Sequence, residues 1–99
     1  MPDVEEPDSA FYDRADAHIH LANEHGDDVG PGKASASFLF AASRYNAFAI
    51  SSRSASGAEM QASRGETVGH FVDQYRRMLE NNVDDYIADF NRNLDGNEG

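Results

Sequence analysis

The sequence predicts an all-α fold: a three-helix bundle with a long C-terminal helix, open to completion by homo-oligomerisation. Three observations carry that prediction. Between Val68 and Leu94, the residues Val68, Val72, Tyr75, Leu79, Val83, Tyr86, Phe90 and Leu94 follow one another at gaps of three and four, which places all eight on a single helical face. Two shorter stretches, around Phe11 to Ala22 and Phe38 to Ala49, repeat that spacing. Turn-rich segments of Gly, Pro, Asp and Ser separate the three.

The 99 residues suffice for one domain with a single core. Residues 1–8, with two Pro and three acids before Asp8, offer little to bury and are expected to form a disordered tail. The helical domain is expected over residues 9–91. Asp8 or Ser9 supplies an N-cap for the first helix, whose inner face carries Phe11, Ala15, Ile19 and Ala22 with Tyr12 beside them. Gly26 is its expected stop, with His20 and His25 in the last turns. Residues 26–32, GDDVGPG, then read as a linker. Asp27 and Asp28 there lack the alternating ligands and distal Glu of a calcium loop, so a solvated turn is expected.

A second helix is expected from Lys33 or Ser35 to about Ser54. Phe38, Ala42, Tyr45 and Ala49 mark one face, and Leu39, Phe40, Ala41, Phe48 and Ile50 make it apolar most of the way round, which suits a central helix. Its many Ala and Ser let backbones approach closely. Asn46 has two readings: a buried, paired side chain that fixes the register between helices or subunits, or a member of an exposed edge shared with Arg53. Tyr45, Tyr75 and Tyr86 are the accompanying candidates for packing or register.

Residues 51–67 are small and polar, with Gly57 the clearest breaker. The third helix is expected to start near Ala58 or Glu59, or else at Thr67, because Gly65 and Gly69 each weaken a helix by up to ~1 kcal/mol. Val68, Leu79 and Phe90 recur every eleven residues, as do Val72, Val83 and Leu94. That is a period of about 3.67, near the ~3.6 of an unstrained helix. A heptad seam through Val68, Phe71, Tyr75 and Met78 would instead bury Asn82 and Asp85. Phe71, Met78 and Ile87 widen the stripe, as a helix packed against two others requires, so a core role is expected for it. A helix from Ala58 to Asn91 would be about 50 Å long and would overhang a bundle of shorter helices. An overhanging apolar stripe needs a partner. Residues 92–99 are expected to fray into a tail.

On the outer face of that helix, Asp73 with Arg77 and Arg76 with Glu80 are supportive pairs. Asp84, Asp85 and Asp89 instead crowd toward the negative end of the helix dipole. They form a candidate contact for a basic partner, the alternative being a solvated acidic face.

Eight basic and eighteen acidic residues give a net charge of −10, which repels nucleic acid and anionic membranes. Lys33 is the lone lysine, and the Asp-rich surface is one that stays hydrated in high salt. There is no Cys, hence neither disulfide nor thiolate chemistry. The first ten residues have neither the basic nor the apolar region of a secretory signal, and the run from Phe38 to Ile50 is too short to span a bilayer, so a soluble cytoplasmic protein is expected.

The segments FYDRADAHIHLAN, SASFLFAASRYNAFA and FVDQYRRMLENNVDDYIADF, taken in that order, resemble a family of short acidic bacterial proteins classed as a domain of unknown function. The resemblance covers about residues 11–90. It implies a bacterial, all-helical single domain and carries over no functional residue. Gly65 and Gly69 depart from the helix-favouring residues expected there.

No residue pattern supplies a catalytic, cofactor-binding or metal-binding site. His18 and His20 point to different sides of a helix, His18 and His25 lie two turns apart, and no glycine pattern follows a strand to cradle phosphate. Two functions remain. The first is a non-enzymatic module that binds a protein partner or itself, as a homodimer in the simplest case. The second is a small-ligand binder or enzyme with Tyr12, His18, Arg44, Tyr45, Asn46 and Tyr75 around an interhelical pocket.

Overall fold

The computed structural model describes residues 8–98, and every regular element among them is an α-helix: α1 (Phe11–Val29), α2 (Pro31–Ser52) and α3 (Gly57–Glu98). The fold is therefore all-α, with three helices in the predicted order and the longest at the C-terminal end. The tail expected over residues 1–8 falls, Asp8 apart, outside the described residues. α1 and α2 form one compact unit and α3 belongs to a second.

Asp8 organises the start of α1. Its carboxylate accepts the Ala10 N–H at 3.0 Å, its carbonyl accepts the Phe11 N–H at 3.0 Å, and the Arg14 guanidinium grips the same carboxylate through two hydrogen bonds of 3.2 and 2.8 Å. The Arg14 hydrogen bonds, more than the Ala10 N–H, hold the Asp8 carboxyl below its ordinary range. One exposed acid thereby serves both backbone and side chain.

α1 does not stop at Gly26. It continues through Asp27 and Asp28 to Val29, and the seven-residue linker expected over 26–32 contracts to Gly30. The physical reason is conformational. Gly30 has φ 96° and ψ 152°, a backbone state that L side chains rarely adopt, so one glycine reverses the chain. Its N–H donates to the Gly26 carbonyl at 2.8 Å, which closes α1. Pro31 opens α2 at once, its fixed φ suiting a first helical turn where an N–H would have had no partner.

Near this turn the two helices meet through small residues. A Cβ placed on Gly26 would lie 3.8 Å from the Pro31 Cα and 4.0 Å from the Ala34 Cβ, ordinary contact distances. Ala34, only 5% exposed, is the most enclosed residue here. Further along, the rings of His18 and Phe38 stand 6.4 Å apart across the hairpin. Three serines of α2 are satisfied within their own helix: Ser37 donates to the Lys33 carbonyl, Ser43 to Phe40 and Ser52 to Ala49. The apolar girdle expected to make α2 a central helix is left largely open, with Leu39, Phe40, Tyr45 and Phe48 all exposed.

α3 begins at Gly57, just before the earlier of the two expected starts. Ser56 Oγ accepts the Glu59 N–H at 3.1 Å, and the Glu59 carboxylate reaches back to the Ala55 N–H at 3.3 Å. This is a near relative of the capping box. With its first turn so fixed, the helix passes through Gly65 and Gly69 without a break, and at 42 residues it is about 63 Å long. It runs on to Glu98, through the stretch expected to fray.

Candidate functional site

The stripe that defines α3 is open to solvent. Val68, Val72, Tyr75, Leu79, Val83, Tyr86 and Phe90 are each between 45% and 76% exposed, and Met78 and Ile87 beside them are exposed as well. Its residues share one side of the helix, as their spacing requires, and stand exposed there. A contiguous apolar face of this extent exceeds what an isolated soluble chain ordinarily presents.

The flanks of α3 are polar and self-paired. Arg77 donates to Asp73 one turn earlier, which lowers the Asp73 carboxyl through that hydrogen bond first and through the Arg77 charge second. Asp84, Asp85 and Asp89 are all exposed. Arg92 pairs with Asp89, so the acidic patch carries an internal counter-charge at one of its three carboxylates.

A second feature lies within the α1–α2 hairpin, a cleft of about 830 Å³. Leu21, Ala22, Phe38, Ala41 and Ala42 give it apolar walls, and Arg14, His18, His25, Tyr45 and Asn46 converge on it as polar groups. Of the side chains proposed for an interhelical pocket, His18, Tyr45 and Asn46 are brought together here. Tyr12 and Arg44 are not among its lining residues, and Tyr75 lies on α3. Asn46 and Tyr45 are exposed at this cleft.

Arg14 and His25 are the ionisable lining residues that sequence reasoning did not select for a pocket. The signal was present: Arg14, His18, Leu21, Ala22 and His25 follow helical spacing, but they form a mixed face beside the apolar one carried by Phe11, Ala15, Ile19 and Ala22. A search for apolar periodicity passes over such a face. Among the described residues no group of His, Cys, Asp and Glu is arranged to hold a metal ion, and no helix is long and apolar enough to cross a membrane.

Hairpin and long helix together define an all-α protein with two open features: a small polar-lined cleft on the first unit and an uninterrupted apolar face on the second. By sequence, the chain belongs to the DUF3144 family, described as a protein of unknown function, whose match spans residues 11–87. That span takes in α1, α2 and α3 as far as Ile87, and so includes Asp84 and Asp85 but not Asp89. No curated protein and no solved structure matches the chain.

Proposed function

We propose that this protein is a non-enzymatic interaction module that works through the apolar face of α3. The observation that carries the reading is the exposure of that face along its whole length from Val68 to Phe90. Exposed apolar surface costs free energy in water, roughly 25 cal/mol for each Å² left uncovered, and a partner that covers it recovers that amount in part. Asp84 and Asp85 are exposed on the outer side of the same helix and favour a partner, or a segment of one, that reaches past the face with positive charge. The net charge of −10 turns nucleic acid and anionic lipid away from the same surface.

The test is affinity recovery of the tagged protein at native expression level after gentle crosslinking, compared with a Val72→Ser, Val83→Ser double variant. Loss of the accompanying protein, or of the second copy, from the variant is the expected result. Unchanged recovery from the variant would remove α3 from the account.

The hairpin cleft supports a second reading, a binder of a small, partly apolar molecule held among His18, His25, Tyr45 and Asn46. Its volume falls in the range of ligand sites, about 300–1,000 Å³. Thermal-shift screening against metabolites decides between the two. Under this reading a ligand at a hundredfold excess over its Kd adds about 2.7 kcal/mol, and that gain vanishes in Tyr45→Ala.

A further inference from the structure

We propose that the apolar face of α3 is covered by the same face of a second copy of this chain, running antiparallel, with the two-fold axis passing through Leu79. The inference rests on α3 being the interaction surface and names its occupant.

The argument begins with the spacing. From Val68 to Phe90 the exposed apolar residues follow steps of four, three, four, four, three and four, a sequence that reads the same in both directions about Leu79. An antiparallel copy centred there sets Val68 against Phe90, Val72 against Tyr86, Tyr75 against Val83, and Leu79 against itself. Every pair away from the axis joins a valine to an aromatic ring. Large-against-small facing is what allows two layers of side chains to interdigitate. The parallel alternative sets Phe90 on Phe90, Tyr86 on Tyr86 and Val68 on Val68, crowding one end and leaving the other loose.

Charge selects the same orientation. A parallel pair would set Asp89, which flanks the seam, at the same height in both copies, with Asp84 and Asp85 of each copy on the outer side of that same end. The antiparallel pair separates these clusters to opposite ends and brings Arg76 of each copy close in height to Glu80 of the other, on the same flank of the seam. The stripe is also bounded on its N-terminal side by Arg64 and Gln61, one and two turns before Val68 on the same face, which limits slippage. Because the repeat is near the natural period of the helix, two such helices lie together with little supercoiling.

The area is sufficient. Nine residues, the seven stripe residues from Val68 to Phe90 out of its eight together with Met78 and Ile87, stand about half exposed. At ~150–250 Å² for the larger side chains, covering them removes on the order of 800 Å² per copy, the share each partner contributes to an interface of standard size. An isologous contact of this kind closes on itself as a dimer.

The test uses the full chain, whose lack of cysteine makes single labelling sites clean. Mass is measured by sedimentation, and spin labels are placed off the stripe at Ala62→Cys and, separately, at Asn81→Cys. The expected result is a dimer with labels about 50 Å apart along the helix axis for position 62 and close together for position 81, since antiparallel separation grows by twice the ~1.5 Å rise per residue of distance from Leu79. Leu79→Glu, which places two charges at the axis, is expected to weaken the dimer by roughly a hundredfold while helix content is unchanged. A dimer with position-62 labels close together would overturn the antiparallel arrangement but not the role of α3. A dimer indifferent to Leu79→Glu would overturn the seam. A monomer at every concentration would overturn self-association, and recovery of a different protein through the α3 face would then leave the interaction reading standing.

Discussion

Gly30 holds a backbone conformation that the hairpin cannot do without. At φ 96° any side chain is strained, so Gly30→Ala should lower the stability of the α1–α2 unit by about 1–3 kcal/mol, read as an earlier midpoint in urea unfolding followed by helix signal. Gly26, four residues before it, should behave in the opposite way. It is helical, and an added methyl meets Pro31 and Ala34 only at 3.8 and 4.0 Å, so Gly26→Ala should stabilise by up to ~1 kcal/mol in the same assay. The contrast explains a misplaced boundary. Gly26 reads as the stop in sequence with Gly30 inside a linker, yet the chain turns at Gly30, because the X-Pro bond to Pro31 disfavours helix at the residue before it. Asp8 was legible as a starting residue, but its grip on Arg14, six positions on, was not, since no periodic rule links those positions.

At the scale of the element, α3 owes its continuity to its first turn. Ser56→Ala should cost about 1 kcal/mol and increase fraying over the glycine-weakened turns up to Gly69, measured by amide hydrogen exchange. The start was expected near Ala58 or Glu59, close to the observed Gly57, and the glycines further along kept Thr67 open as a second start. Further on, Asp73 links the helix to pH. Its folded carboxyl is lowered from an ordinary 3.8 by Arg77, so its contribution is complete above that value and is lost as the pH falls through the lower, folded one. Acid titration of helix content should therefore show less loss below pH 4 in Asp73→Asn than in the parent chain. The amphipathic stripe itself was plain from spacing alone. What spacing cannot state is whether a stripe faces the interior of its own chain or the surface of another, because both demand the same periodicity.

For the molecule as a whole, the fold class was legible and the cleft was partly so. His18, Tyr45 and Asn46 were named from their chemistry, whereas Tyr12 and Arg44 do not line the cleft, because the turn at Gly30 sets which faces of α1 and α2 oppose each other. Large apolar side chains stand exposed on both units, and among the described residues Ala34 is the buried one. The proposed pairing through α3 links folding to association, so under it the unfolding midpoint should rise with protein concentration.

The most direct measurement is sedimentation equilibrium of the intact chain beside Leu79→Glu across the micromolar range. The account predicts twice the chain mass for the parent and a single chain for the variant, with equal helix content in both. A parent chain that sediments as a monomer throughout, or a variant that dimerises as well as the parent, would contradict it.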